Sequence, residues 1–334
     1  MTKLFVLLAL LIPALALAQA SNHERLSAIT NLQRFAFGSC SKQTHTQKAW
    51  KVLAHEAPDF FLWGGDNVYA DTDSEAQMRA TYAVQNAVED YRAFKAVTPV
   101  IGNWDDHDFG INNGGGSFSF KKMSQSIFLD FVEEPQDSPR RTQEGIYTSY
   151  EFLSAGRKVK FILLDNRYFK ELEETAPILG AVQWTWLENE LATSTADLTF
   201  ISSGLSILSP KTLKSEEWAD HPGEVKRLKA LLTKYKVKAP IFLTGDKHFA
   251  SIFEKDGIIE FLASGMTHNS PFFLRPFIRR KYPVAVFKHN FGLVDIRWEG
   301  AVPVVTMTIK SDEGEDLVVR RARYESGSWQ VSKE

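Results

Sequence analysis

Short apolar runs alternate with helical patterns through the first three quarters of the chain. Runs suited to strands fall at 34–38, 59–63, 98–102, 159–164, 198–203 and 240–244. Between them, 46–57, a long stretch near 75–96, 181–192 and 223–235 carry apolar residues at helical spacing, the last opened by Pro222. Such alternation predicts an α/β core. Beyond residue 255 the pattern changes: 257–263, 291–298, 302–309 and 316–323 read as strands, with turns such as Glu299-Gly300 between them. This tail is expected to form a second sheet packed on the first.

Two stretches resist both periods. Residues 109–120 contain Asn112-Asn113-Gly114-Gly115-Gly116-Ser117, a composition that favours a mobile loop. Residues 268–290 mix Arg275, Arg279, Arg280 and Lys281 with Phe272, Phe273 and Phe277. They read as a solvated loop with aromatic anchors, a lid or lipid-facing edge being the alternatives.

Four of the strand-like runs stop in clusters of metal-binding residue types. RFAFG meets Ser39-Cys40-Ser41, DFFLW meets Gly64-Gly65-Asp66-Asn67-Val68-Tyr69-Ala70-Asp71, TPVIG meets Asn103-Trp104-Asp105-Asp106-His107-Asp108, and PIFLT meets Gly245-Asp246-Lys247-His248. A scaffold that ends several strands this way gathers ligands at one sheet edge, which points to a metal-centred active site.

Asp66 is placed to bridge two cations with Tyr69 reaching one of them; an Asp-rich turn that caps a helix is the competing reading. Three carboxylates around His107 would repel one another without a cation nearby. Asp106 is the natural ligand there. His107 is then aimed at substrate as a general acid with Asp108 or Asp105 orienting its ring, against the alternative of a satisfied surface histidine. Asp246 and His248, two apart on one turn, can point at adjacent cations. Arg167 in LLDNRYF could bind a phosphate oxygen or pair with Asp165 to brace a loop. His268 and Asn290 are further candidates for contacts around substrate or ligands.

The chain opens with Lys3, an apolar run from Leu4 to Leu17, and Ala18-Gln19-Ala20, the layout of a secretory signal cleaved after Ala20. The run is shorter than the roughly 20 residues of a membrane span, and no later stretch qualifies, so no integral membrane segment is expected after the signal. Of 39 Lys+Arg only Lys3 lies in that segment, leaving 38 against 41 Asp+Glu, net −3. This balance gives no footprint for nucleic acid. Cys40 is the single cysteine, so an exported form has no internal disulfide; the thiol is either a buried small hydrophobe or a metal-held thiolate.

Taken in order, FGSCS, GDNVYAD, WDDHD, LLDNRYF, SSGLSIL, GDKH, SGMTHNS and NFG resemble the alkaline phosphatase D (PhoD-like) family of calcineurin-like metallophosphoesterases, over about Phe35 to Phe291. The resemblance implies an α/β four-layer α-β-β-α sandwich of two packed mixed sheets flanked by helices. The first motif follows the leader almost directly, so one catalytic domain over 21–334 is expected, without the N-terminal β-sandwich domain of longer relatives, and the leader predicts a periplasmic or secreted location. Metal-ligand roles carry to Cys40, Asp66, Tyr69, Asp106, Asp246 and His248, and the catalytic role to His107, with Asp108 beside it. Ser206 stands where many relatives have glutamine.

A first ion held by Cys40, Tyr69, Asp66 and His248 would see three anionic donors, including sulfur and phenolate, which suits Fe3+; the resemblance implies the same. A second, held by Asp66, Asp106 and Asp246, would see only oxygen, which suits Ca2+, with Mg2+, Mn2+ or Zn2+ as alternatives. The expected reaction is hydrolysis of a small phosphate ester or phosphodiester, a metal-bound hydroxide attacking phosphorus and His107 protonating the leaving group. A phospholipid-directed phosphodiesterase using the same site, or a non-catalytic metal- or phosphate-binding protein, are the competing classes.

Overall fold

The structure, a computed structural model, describes residues 20–333 except 172, 174, 175, 212–215 and 283; the expected signal segment lies outside the described residues but for Ala20. Thirteen strands are formed among the described residues: β1 (Arg34–Gly38), β2 (Phe60–Gly64), β3 (Val100–Asn103), β4 (Thr148–Ser154), β5 (Arg157–Leu163), β6 (Leu198–Ser203), β7 (Pro240–Thr244), β8 (Ala250–Lys255), β9 (Ile258–Ala263), β10 (Asn290–Glu299), β11 (Val302–Ser311), β12 (Asp316–Glu325) and β13 (Ser328–Lys333). They make a seven-stranded sheet in the order β13-β12-β11-β10-β1-β2-β3 and a six-stranded sheet in the order β4-β5-β6-β7-β9-β8. Both sheets are mixed: β1, β2 and β3 run parallel, as do β5, β6, β7 and β9, and antiparallel strands flank the first set on one side and the second on both.

Period-two alternation sorts the side chains into layers. From the first sheet Phe35, Phe37, Phe60 and Leu62 point inward, where they meet Phe161, Leu163, Phe200, Ile241 and Leu243 of the second. Phe35 lies edge-on to Phe161 and Phe200 with ring centroids 5.0 and 4.9 Å away, a favoured aromatic geometry. The intervening residues Ala36, Phe61 and Trp63 face outward onto the helices Ala49–Glu56, Glu75–Ala87 and Glu89–Val97. On the far side Ile162, Ile201 and Phe242 pack beneath Gly180–Ala192 and Pro222–Lys234. The result is the four-layer α-β-β-α sandwich expected from the sequence.

The division of strands between sheets corrects one expectation. The tail does not build a separate second sheet: β10 pairs antiparallel with β1, Arg34 opposite Asp295, and β11, β12 and β13 extend the first sheet outward. The six early strands are instead shared, three to each sheet. Arg34 Nε donates to Asp295 Oδ1 at 2.7 Å on this seam. Residues 75–96 break into two helices at Val88, whose ψ of 116° is extended. Glu89 and Asp90 then open the second helix, where the helix dipole favours negative charge.

The glycine-rich stretch 110–120, after the short helix Asp106–Phe109, forms no helix or strand, but it is tied down. Gly116 N donates to Lys170 O at 2.7 Å, and Asn113 N to Asp106 Oδ2 at 2.7 Å. No helix among the described residues is long and apolar enough to cross a membrane.

Candidate active site

The carboxyl ends of β1, β2 and β3 from one sheet and of β6, β7 and β9 from the other meet at one corner. Close approach of their turns requires glycine. A Cβ on Gly245 would lie 2.7 Å from Gly64 O, 2.8 Å from Ser39 Oγ and 3.1 Å from Gly204 O. A polar stitch crosses the same seam, Asn67 Nδ2 to Asn103 O at 2.8 Å and Asn103 Nδ2 to Ser202 Oγ at 2.9 Å.

At these turns the backbone is bent into an unfavourable region. Cys40, Asp66, Asp71, Asp246 and His248 have φ of 59°, 49°, 43°, 73° and 56°. Left-handed backbone costs energy for residues with a Cβ and persists where the surroundings impose it. Here the turns interlock: Ser41 N donates to Asp66 O at 2.9 Å and Thr267 N to Cys40 O at 3.2 Å.

The bends aim the side chains inward. Cys40 Sγ is 3.4 Å from Asp66 Oδ2, and the Tyr69 hydroxyl is 3.4 Å from the same oxygen and 3.3 Å from His248 Nε2. Ligand atoms of Cys40, Asp66 and His248 all lie within 4.8 Å of one another, and so do those of Asp66, Asp106 and His107. The two groups share Asp66. Asp246 lies on the same turn as His248 and interacts electrostatically with Asp106.

Burial and mutual repulsion leave these acids short of compensation. Asp66 is raised well above the usual carboxylate value by burial, then by Asp106, Asp105, Asp108 and Asp246. Asp246 is pushed up to about 6 by burial, partly offset by Lys247. Burial alone would also raise Asp106, but Arg167 and then His107 draw it below the usual value. Cys40 and Tyr69 are both raised by burial and by nearby anions. His248 falls to about 4, chiefly through burial, so its imidazole is neutral and free to coordinate.

Asp66 Oδ1, Asp105 Oδ2, Asp106 Oδ1 and Asp246 Oδ2 are buried and accept no hydrogen bond among the described residues. Buried carboxylate oxygens left this way ask for cations. The donor set of thiol, phenol, imidazole and carboxylates fits metal ions.

His107 is held from a direction the sequence reading did not assign. Its Nδ1 is 2.7 Å from Asp71 Oδ1 and 2.8 Å from Oδ2, and its ring lies 4.1 Å from that of Tyr69. Burial would lower the His107 pKa, but the hydrogen bond to Asp71 and the charge of Asp106 raise it above the ordinary histidine value.

Asp108, expected beside His107 as a catalytic partner, instead accepts from the backbone N–H groups of Asn67, Val68 and Asp105 at 3.0 to 3.1 Å and from the Tyr82 hydroxyl at 3.2 Å. It fastens the second turn to the third and does not orient the imidazole. Asp105 is likewise turned away, accepting from Arg167 Nε at 2.5 Å.

The remaining candidates separate into two sets. His268 joins the site: its ring lies 4.6 Å from Tyr69 and 4.9 Å from His248, and burial lowers its pKa to about 4. Arg167 does not reach open space. It is wholly buried, pairing with Asp105 and with Glu216 Oε2 at 2.6 Å, so it braces the site from behind instead of receiving a phosphate. Asp165 accepts from Trp104 Nε1 and from the backbone of Ile146, Arg167 and Tyr168 at 2.8 to 2.9 Å, and this holds the loop. Asn290 is buried at the start of β10, its Nδ2 donating to Lys288 O at 2.9 Å. Ser206 hydrogen-bonds Glu260, which also accepts from Thr244 Oγ1 at 2.7 Å; this cluster lies in the second sheet's core.

Three features escaped the sequence reading. Asp71 stood in the second motif without a role. Ser264, which donor or acceptor contacts join to Cys40 Sγ at 3.7 Å and His248 N at 2.7 Å, opened the SGMTHNS motif without a role. Glu216 and Glu217, which pair with Arg167 and Lys247 beneath the site, gave no signal.

The double sheet with acids, thiol, phenol and imidazoles converging at its strand ends has the architecture of a hydrolytic metal-site enzyme. The family model described as PhoD-like phosphatase matches residues 35–272. The chain belongs to that family and is a phosphoric ester hydrolase. Among solved structures it is similar to one described as the structure of PhoD, with a TM-score of 0.71 at 16% identity, over 92% of this chain and 73% of that one. It is also similar to GAP50 of Plasmodium, described as the anchor in the inner membrane complex, with a TM-score of 0.58 at 12% identity, over 86% and 87% of the two chains. A search of curated protein sequences finds no match.

Proposed function

We propose that this protein is an exported, metal-dependent phosphatase or phosphodiesterase acting on a small phosphate ester, with His107 as general acid. The observation that carries this reading is the double cluster sharing Asp66, with His107 at its edge and Asp71 on the ring nitrogen turned away from the cluster. Cys40, Tyr69, Asp66 and His248 would hold one cation, and Asp66, Asp106 and Asp246 a second. Fe3+ suits the first set and Ca2+ the second, by donor type. When bound, the metals supply charge neutralisation for the buried acids and Lewis-acid activation of water.

The chain's own residues do the rest. Lys247 and Arg167, each paired with buried acids, hold the Asp246 and Asp105-Asp106 turns in place. Asp71 fixes the His107 ring with Nδ1 occupied, so the proton transferred to a leaving oxygen comes from Nε2. Its raised pKa favours the protonated ring, the form that can give up that proton. Export rests on the leader-like composition of residues 1–20.

The experiment is turnover of wild type and His107→Ala on an alkyl phosphate, whose leaving group needs protonation, and on an aryl phosphate, whose leaving group needs it less. A loss of about 100- to 10,000-fold confined to the alkyl ester supports the assignment. Equal activity of the two proteins on the alkyl ester refutes it.

A further inference from the structure

Beside the active site lies a surface that hydrolysis does not use. Phe272–Leu274 forms a short 3-10 turn and Arg275–Lys281 a helix, and together they expose Phe272 at 82%, Phe273 at 70% and Phe277 at 58%. These rings are not the outward side of a loose segment. Tyr282 at the helix end packs on Phe249 with centroids 4.9 Å apart, Ile278 joins the same cluster, and Arg275 Nε donates to Ser270 O at 3.2 Å. Ser270 N in turn donates to His248 O at 2.8 Å. The exposed phenylalanines are thus presented on a rigid mount tied directly to a candidate metal ligand.

The charge along this stretch of chain has one sign. Between Glu260 and Asp295 the sequence contains no Asp or Glu, while Arg275, Arg279, Arg280 and Lys281 fall within seven positions. Arg279, Arg280 and Lys281 are exposed, and none of the four makes an ion pair with a carboxylate among the described residues. The guanidinium of Arg280 lies 5.8 Å from the centre of the Phe277 ring and that of Arg275 5.7 Å from Phe272, so cations and rings are interleaved.

From this we infer that residues 272–281 dock the enzyme onto an anionic phospholipid bilayer, with the active-site mouth beside the headgroups. Aromatic side chains that settle at the headgroup–acyl boundary and cations that pair with lipid phosphates are the two elements of interfacial binding. A soluble polyanion would satisfy the arginines but leave three phenylalanines in water. An apolar protein groove would cover the phenylalanines but leave the arginines without partners. The anionic bilayer matches both with no demand on shape. The inference does not depend on the chemistry proposed for His107 or the metals.

The test is sedimentation of the full chain with vesicles of phosphatidylcholine alone and of phosphatidylcholine mixed equally with phosphatidylglycerol, at low and high ionic strength. Wild type is expected to bind the mixed vesicles, with salt weakening binding. A chain carrying Phe272→Ser, Phe273→Ser and Phe277→Ser together, and separately Arg280→Glu, should each lose about tenfold or more in partitioning. Thermal melting and turnover of a soluble monoester should match wild type, which separates lost docking from misfolding. Undiminished binding by the triple variant, equal binding of wild type to neutral vesicles, or no binding to mixed vesicles at low salt each overturns the inference.

Discussion

His107 Nδ1 and Asp71 Oδ1 lie 2.7 Å apart, although the two residues come from different strand-end turns, 36 positions apart. The contact sets which nitrogen of the ring is left for chemistry and lifts the His107 pKa. In the proposed reaction the protonated imidazole is the acid, so turnover should hold below the folded-state pKa and fall as pH rises through it. Asp71→Asn removes the charge that raises the pKa. The alkaline fall in turnover should move to lower pH and the rate at neutral pH should drop about 10- to 100-fold. A pH–rate profile of the variant superimposing on wild type would show that Asp71 does not position the acid.

Asp108 offers the contrast, since its contacts are structural. Asp108→Ala would leave three buried backbone N–H groups without an acceptor, each costing about 1–3 kcal/mol. Denaturant unfolding should show a large loss of stability. Asp71→Asn, at an exposed carboxylate, should show little.

As a proposed metal ligand, Asp246 would link metal binding to folding. Its pKa in the folded chain is about 6 against an ordinary 3.8. A raised carboxylate destabilises the fold as pH climbs from about 4 to about 6, and the cost, on the order of 3 kcal/mol, persists above that window. In chelated protein at pH 8, Asp246→Asn should therefore raise the melting temperature. The same variant should lose most of the stabilisation that added metal gives wild type. A variant that melts lower than wild type in chelator would contradict this balance.

Metal identity has an optical test. A phenolate on ferric iron absorbs strongly in the visible, whereas Ca2+ or Zn2+ alone leaves the protein colourless. Wild type is expected to be coloured and Tyr69→Phe to lose the band while keeping the metal proposed for the second site. A colourless, fully active wild type with no iron by elemental analysis would remove iron from the first site.

Phe35 anchors the layer between the sheets, fully buried and edge-on to Phe161 and Phe200. Phe35→Ala should destabilise by about 3–5 kcal/mol, read from chemical unfolding. Since Phe35 points away from the strand ends, turnover below the lowered melting point should be retained.

What could be read in the chain was local. The inward set Phe35, Phe37, Phe60 and Leu62 follows from a period of two, and the clusters after β1, β2, β3 and β7 show as abrupt changes from apolar to ligating residues. Which residues gather was therefore legible: Cys40, Asp66, Tyr69, Asp106 and His248 appear both in the strand-end pattern and in the assembled site. Strand pairing was not, because β10 could satisfy the edge of either sheet with the same alternation, and only tertiary packing placed it against β1. The orientation of each acid was equally hidden. Asp71 reaches His107 while Asp108 faces backbone amides, and the second turn is bent by left-handed backbone at Asp66 and Asp71 that contacts with neighbouring turns hold in place. The sequence by itself determined the layers and the residue types at the site; contacts between distant turns decided which carboxylates face the chemistry and which hold the turns together.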